Sequence, residues 1–145
     1  MFTTTLWRLT SHDPLHNLAF ERYLFDSLGQ KEAAVLIWRN SPAAMIGRAQ
    51  NPWYEANTEF LCRHHIPLFR RISGGGTVYH DLGNLNFTFM ASKPYFSRDL
   101  PITIARDALQ SLGFNVYADP RRSLFLQQGD SAFKITGSAI RETLT

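Results

Sequence analysis

The sequence is poor in features that would place it outside the cell interior or in a membrane. Cys62 is the only cysteine among 145 residues, so an internal disulfide is excluded and a reducing compartment is expected. No apolar run approaches the roughly 20 residues that span a bilayer. The first residues match neither a signal peptide nor an Arg/Ser-rich transit sequence. We therefore expect a cytoplasmic protein without a membrane partner.

Charge runs and familiar nucleotide-binding patterns are also absent. The net charge is +3 and the pI is near 9.3, but no run of like charges exceeds two residues, so nucleic-acid binding is not expected. Neither a Walker loop nor a Gly-x-Gly-x-x-Gly pattern occurs. No repeat or linker-like stretch divides the chain. A hydrophobic content of 44% and an aromatic content of 13% are ample for the core of one globular domain.

Local patterns predict a mixture of helices and strands. Asp13 and Pro14 are typical of a helix start, and apolar residues follow at helical spacing up to Gly29. Asn57 is expected to cap a short helix, and a further helix is predicted over 102–112. Strands are predicted at 2–9, 35–38, 44–46, 67–70, 77–79, 85–90, 114–117, 123–127 and 133–135. The helices are too irregularly placed for a βαβ series, which predicts an α+β fold with a mixed, largely antiparallel sheet and flanking helices.

The most informative stretch is the glycine-rich loop at residues 73–76, Ser-Gly-Gly-Gly. Its glycines lack a β-carbon, which permits positive φ and lets a ligand approach bare amide groups. Arg70 and Arg71 precede it, and guanidinium groups pair well with phosphates and carboxylates. Glycines alone are more typical of a flexible turn. The basic pair, together with two predicted strands joined by a turn at 81–84, instead indicates an anion-binding site.

Other polar residues give weaker signals. Lys134 lies in a predicted strand, and periodicity alone places it on a solvated face. His80 and Asp81 are adjacent in a strand and therefore point to opposite faces, so an acid–base dyad is not expected. His64-His65 has no accompanying ligand cluster, which favours surface helix residues over a metal site. Cys62 is expected to be a small core residue.

Four segments in this order resemble the signature of lipoate–protein ligases of the bacterial A type, in the fold shared with biotin–protein ligases. The first is Asp13-Pro14 with Asn17-Leu18-Ala19 and Glu21. The second is Ile46-Gly47-Arg48-Ala49-Gln50-Asn51-Pro52-Trp53, and the third is the arginine–glycine stretch at 70–90. The fourth is Lys134-Ile135-Thr136-Gly137-Ser138-Ala139. The resemblance covers nearly the whole chain.

The resemblance implies a reaction. Lipoate or octanoate would be activated with ATP and Mg²⁺ as an acyl-adenylate. The acyl group would then pass to a lysine on lipoyl domains of 2-oxoacid dehydrogenase complexes or on the glycine-cleavage H protein. Lys134 would be the catalytic residue, holding the lipoate carboxylate against the α-phosphate and neutralising charge as the adenylate forms and reacts.

The resemblance also implies which residues bind the ligands. ATP would be bound by Arg71, Gly76, Thr77, Val78, Tyr79 and Lys134. Lipoate would be bound by Arg71, Ser73, Gly75, His80 and Lys134. Arg70 would instead make a structural ion pair, and no protein metal site is implied.

The sequence departs from the family pattern after the lysine segment. Family members continue with a His-His-Gly-Thr-Leu stretch, a loop that closes over the nucleotide and commonly a small C-terminal domain. Residues 1–145 are therefore expected to be the N-terminal portion of a catalytic domain, with an unpaired sheet edge that favours self-association. Two alternatives remain. One is an ATP-independent octanoyl- or lipoyltransferase with a cysteine nucleophile, and the other is a noncatalytic ligase remnant that only binds ligand.

Overall fold

The computed structural model of the chain describes residues 3–142. The chain forms two compact units, one from the residues up to Lys93 together with the segment from Ala139, the other from Pro94–Ser138. Within the described residues no helix is both long and apolar enough to cross a bilayer. The mixture of helices with parallel and antiparallel strands confirms the predicted α+β class.

The first unit contains two three-stranded sheets and three helices. In chain order its elements are β1 (Thr3–Arg8), α1 (Pro14–Ser27), β2 (Glu32–Trp38), β3 (Ala43–Ile46), α2 (Pro52–Glu55), α3 (Thr58–Arg63), β4 (Leu68–Arg70), β5 (Val78–His80) and β6 (Asn86–Ala91).

The first sheet has the order β1-β2-β6, with β2 parallel to β1 and antiparallel to β6. Side chains of β2 alternate between buried and half-buried positions, as expected when one face meets the core. Leu36 and Trp38 of β2 pack with Met90 of β6 and with Leu24 of α1. This cluster forms the hydrophobic core of the first unit.

The second sheet has the order β4-β3-β5, with β3 parallel to β4 and antiparallel to β5. All four residues of β3 are buried. Because β4 and β5 flank the same strand, the glycine-rich loop that connects them starts and finishes beside β3. Among the described residues β5 has no second strand neighbour, so it is an edge strand.

Predicted helix starts in the first unit are confirmed by their caps. The Asp13 carboxylate accepts a hydrogen bond from the Leu15 amide at 2.9 Å, with Pro14 in the first helical turn. Asn57 Oδ1 accepts from the Phe60 amide at 2.9 Å. Each cap satisfies an amide that has no partner inside its helix.

The second unit is preceded by a 3-10 turn at Lys93–Tyr95 and contains α4 (Leu100–Ser111), β7 (Val116–Ala118), β8 (Leu124–Gln128) and β9 (Ser131–Lys134). Its strands form an antiparallel sheet in the order β7-β8-β9. Gly113 has φ of +87°, and its amide donates to the Gln110 carbonyl at 2.9 Å. This left-handed glycine ends α4 where the sequence predicted.

The predicted turn at 81–84 is present, with the Asn84 amide donating to the Asp81 carbonyl at 3.0 Å, and it joins the two predicted strands, which lie in different sheets. The short helix α2 was not predicted. One local expectation needs correction. Cys62 is exposed rather than part of the core, because α3 buries none of its six residues.

Candidate functional site

The glycine-rich loop is organised around the guanidinium group of Arg71. Arg71 Nη2 donates to the carbonyl oxygens of Gly74 and Gly76, each at 2.7 Å, and Nε donates to Gly74 at 3.2 Å. Nη1 reaches the Met45 carbonyl in β3 at 3.1 Å. One side chain therefore ties both ends of the triple glycine to the buried strand. The four hydrogen bonds of Arg71 thus all go to backbone carbonyls, and its contacts with ATP and lipoate stay predictions.

The same contacts leave loop amides available. Gly75 has φ of +91°, the left-handed conformation expected for it from the sequence. Gly75 and Gly76 are exposed, and no described residue accepts a hydrogen bond from either amide. Arg71 holds the carbonyls of Gly74 and Gly76, and the exposed backbone amides of Gly75 and Gly76 are donors of the kind that can bind anions.

Gly47, immediately after β3, packs closely against the glycine-rich loop. A β-carbon built on Gly47 would lie 2.2 Å from the carbonyl oxygen of Gly75. The next residue, Arg48, donates its amide to the Ser73 carbonyl at 2.9 Å. The backbone at 47–48 thus packs directly against the loop at 73–75. Gly47 belongs to the second of the four sequence segments, and no sequence signal indicated this contact.

Gln50 and Arg70 extend this connection. Gln50 Oε1 accepts from the Gly47 amide at 2.7 Å and from the Thr77 hydroxyl at 3.2 Å. Arg70 Nη1 donates to the carbonyls of Gly47 and Arg48, each at 3.1 Å, and to that of Gln50 at 2.7 Å. The partners of Arg70 are therefore backbone carbonyls, not the carboxylate of the expected ion pair. The second and third sequence segments form one hydrogen-bonded structure.

A half-buried carboxylate, that of Glu21 in α1, interacts electrostatically with Arg71. Its Oε1 accepts from the Thr88 hydroxyl at 2.7 Å, and Thr88 Oγ1 also accepts from Trp38 Nε1 at 3.2 Å. Burial raises the pKa of Glu21, while the Thr88 hydrogen bond and the positive charge of Arg71 oppose that rise. Burial also lowers the pKa of Arg71, and Glu21 opposes that change. Glu21 was recognised in the sequence only as part of a motif.

His80 is the last residue of β5. Its Nδ1 lies 3.2 Å from Asn40 Nδ2, and its ring meets the Trp38 ring edge-on at 6.1 Å between centroids. Burial lowers the pKa of His80, Arg71 lowers it further, and Asp81 raises it. The exposed Asp81 carboxylate accepts from the Gly83 amide at 2.8 Å. The two neighbours therefore have different partners and do not form a dyad.

The edge strand β5 presents apolar side chains beside the loop. Val78 and Tyr79 are exposed, and they border an open groove of about 270 Å³. The groove is lined by Ala44, Ala56, Asn57, Phe60, Leu61, Thr77, Val78 and Tyr79. Such a surface can cover the flat face of a ring system, which suits the position predicted for adenosine.

The predicted site residues are divided between the two units. The first unit holds Arg71, Ser73, Gly75, Gly76, Thr77, Val78, Tyr79 and His80 within one loop and strand. Lys134 is the last residue of β9 in the second unit, where it is exposed and pairs in register with Phe125 of β8. Their individual roles stay predictions.

Metal-ligating clusters are not found in the part of the chain that the structure describes. No three or more His, Cys, Asp or Glu side chains there are grouped so as to hold a metal ion. His64 and His65 are both exposed at the C-terminal end of α3, as predicted for surface residues.

Comparison with known proteins gives consistent matches. The lipoyl protein ligase A/B catalytic domain family matches residues 13–144. A structure of a bi-partite lipoate protein ligase and its E2 lipoyl domain, from Thermoplasma acidophilum, aligns with a TM-score of 0.81 and 24% identity over 98% of this chain and 58% of that one. P. falciparum LipL1 in complex with lipoate aligns with a TM-score of 0.75 and 24% identity over 89% of this chain and 41% of that one.

A third structure, lipoate-protein ligase A bound with ATP, aligns with a TM-score of 0.68 and 26% identity over 81% of this chain and 50% of that one. The chain therefore spans about half the length of the solved structures that it matches.

Proposed function

This chain belongs to the lipoyl protein ligase A/B catalytic domain family, and from that premise we propose that it is part of an ATP-dependent lipoate–protein ligase. The enzyme activates lipoate or octanoate as the acyl-adenylate and transfers the acyl group to a lysine of a lipoyl domain. The observation that carries the proposal is the Arg71-braced loop, whose exposed Gly75 and Gly76 amides are suited to an anionic ligand.

In this proposal, the loop and β5 contact different parts of the two ligands. Arg71 and Gly76 contact the phosphate, and Thr77, Val78 and Tyr79 follow the adenosine along the strand edge. Ser73, Gly75 and His80, with Arg71, contact the lipoyl carboxyl group. Mg²⁺ would accompany the nucleotide, whose phosphate oxygens would bind it together with water, and would offset phosphate charge there. Bound ATP in one similar structure and bound lipoate in another support these two compounds as the ligands.

Lys134 supplies the mobile positive charge for both steps. A lipoate carboxylate oxygen attacks the α-phosphorus, the bond between the α- and β-phosphates breaks, and pyrophosphate leaves. The amine of the target lysine then attacks the acyl carbonyl, and AMP leaves with the former carboxylate oxygen. The Lys134 side chain is exposed and long enough for its ammonium group to offset negative charge on the carboxylate and phosphate as each bond forms.

The proposed acyl acceptors are lipoyl domains of 2-oxoacid dehydrogenase complexes and the glycine-cleavage H protein, in the cytoplasm. The lipoyl domain in the Thermoplasma acidophilum structure supports the first class. That ligase is bi-partite, and this chain covers 58% of the aligned ligase chain.

The test is lipoate-dependent exchange of labelled pyrophosphate into ATP, followed by modification of a lipoyl domain, in the full-length protein that carries this sequence. The expected result is exchange that requires lipoate or octanoate and needs no acyl carrier protein. Octanoyl transfer from acyl carrier protein without ATP, abolished by Cys62→Ser, would establish the transferase alternative. Lipoate binding without exchange or transfer would establish a noncatalytic binding protein.

A further inference from the structure

A buried chain of polar side chains runs from α1 to His80. Asn17 and Asn40 are both completely buried. Asn17 Nδ2 donates to the backbone carbonyls of Ser11 at 3.1 Å and Arg39 at 3.0 Å, and to Asn40 Oδ1 at 2.9 Å. Asn40 Nδ2 in turn lies 3.2 Å from His80 Nδ1. Two buried amides therefore connect fixed backbone carbonyls to an imidazole ring.

Hydrogen-bond chemistry allows only one orientation for each amide in this chain. A backbone carbonyl can only accept, so Asn17 must turn its NH₂ group towards Ser11 and Arg39. The same NH₂ group, whose two hydrogens are shared among these three acceptors, also faces Asn40. A second NH₂ group there would oppose it, so Asn40 presents its oxygen. Asn40 then has only its NH₂ group left for His80, and that group can only donate. His80 Nδ1 must therefore carry a lone pair.

We propose that Asn40, oriented by Asn17, is a positioning residue that holds His80 neutral with its ring proton on Nε2. No described residue accepts from His80 Nε2, and the ring is only half-buried, so this N–H is available to a ligand. The tautomer is inferred from hydrogen bonds within the protein alone. The identity of the ligand that accepts from Nε2, an acyl carbonyl or carboxylate oxygen, rests on the proposed function.

The charges near His80 are consistent with this state. Arg71 and burial both disfavour an imidazolium ion, and Asp81 only partly opposes them. Protonation of Nδ1 would also place an N–H against the Asn40 NH₂ group, which cannot rotate without turning its oxygen away from Asn17. The opposite tautomer would present a bare lone pair at Nε2 and repel the oxygen of an acyl ligand.

Nitrogen NMR of the histidine-labelled full chain tests the tautomer without any need for activity. The His80 signals are assigned as those lost in His80→Gln. Near neutral pH we expect Nδ1 at the chemical shift of an unprotonated ring nitrogen and Nε2 at that of a protonated one. A protonated Nδ1, or shifts averaged between the two tautomers, would overturn the proposal.

Asn40→Asp tests the relay itself, because a carboxylate can accept from both Asn17 and His80. We expect the His80 proton to move to Nδ1 and its titration midpoint to rise. Asn57→Asp introduces the same change at an exposed helix cap and should leave the His80 signals unchanged. An unaltered His80 tautomer in folded Asn40→Asp refutes the role of Asn40. If that variant does not fold, the wild-type spectrum still decides the tautomer.

The ligand is tested separately by adding lipoate to the full-length protein. A shift of the His80 Nε2–H signal that is lost in Asn40→Asp supports the proposed hydrogen bond. A fixed Nε2–H tautomer with no response to lipoate would preserve the relay but refute His80 as a donor to this ligand.

Discussion

Gly47→Ala is predicted to displace the glycine-rich loop and to inactivate the site. The new methyl carbon would lie 2.2 Å from the carbonyl oxygen of Gly75, whereas ordinary contact begins near 3.4 Å, so the two groups must separate by about 1.2 Å. The obstructing oxygen belongs to the Gly75 backbone, and Arg71 bonds the carbonyls of Gly74 and Gly76 on either side of it to β3 at Met45, so it cannot move alone. Overpacking of this kind typically costs about 1–3 kcal/mol.

The cost can be read from urea unfolding followed by tryptophan fluorescence. Trp7, Trp38 and Trp53 are the three tryptophans of the chain, and all belong to the first unit. In the full-length protein, pyrophosphate exchange should fall about 100-fold, the loss typical of a 1 Å displacement of a positioned group. Gly74→Ala is the matched control for stability, because a β-carbon there meets no atom within 4 Å.

The two readouts can also contradict the reasoning. If Gly47→Ala unfolds at the same urea concentration as Gly74→Ala and retains wild-type exchange, the loop does not rest on Gly47 in the way described. A loss of stability with unchanged exchange would show that the loop position does not govern the reaction.

Three further predictions concern single side chains. Lys134→Ala should abolish acyl transfer and leave the thermal midpoint unchanged, because Lys134 is exposed on β9; near-normal transfer would remove its catalytic role. Glu21→Gln should flatten the pH dependence of stability. Burial raises the pKa of Glu21 in the folded state above its unfolded-state pKa of about 4.5. The wild type should therefore lose stability relative to the variant as the pH rises from the unfolded-state pKa through the folded-state pKa. Urea midpoints at several pH values measure this difference. Cys62→Ser should retain exchange activity and stability within about 0.5 kcal/mol, because the thiol is exposed; loss of transfer would favour a cysteine nucleophile.

Much of the secondary structure was predictable because its signals are local. Asp13 and Asn57 cap helices through amides two or three residues away, and Gly113 ends α4 through its own backbone. The helix α2 could also have been found, since Asn51 and Pro52 repeat the pattern of Asp13 and Pro14 and Asn51 accepts from the Trp53 amide. Its four residues were too few to show an apolar period.

Strand partners could not be predicted in this way. Strands β5 and β6 are neighbours in sequence, yet β5 pairs with β3 and β6 with β2, because each partner was fixed by burial elsewhere in the first unit. The burial of Cys62 was predicted wrongly for a related reason. Its apolar neighbours in the sequence indicated a core position, but the six-residue helix α3 has no buried face that could pack against the core.

The candidate loop was recognisable from sequence, but its construction was not. Arginines beside glycines indicate an anion site, and the structure has a loop between β4 and β5 at these residues; the bound anion stays a prediction. The acceptors of Arg71 include a carbonyl 26 residues away at Met45, and those of Arg70 lie 20 to 23 residues away at Gly47, Arg48 and Gln50. Backbone carbonyls carry no residue identity, so no sequence pattern marks them as partners.

The attachment of the loop to β3 determines how much conformational entropy is lost when a ligand binds. Strand β3 is buried along its whole length, so its amides should exchange with solvent deuterium only when the first unit opens. Arg71 and the close contact with Gly47 hold the loop backbone against this strand, although the Gly75 and Gly76 amides themselves are exposed and have no acceptor among the described residues. An incoming anion meets donors that are already in place, and little conformational entropy is lost on binding.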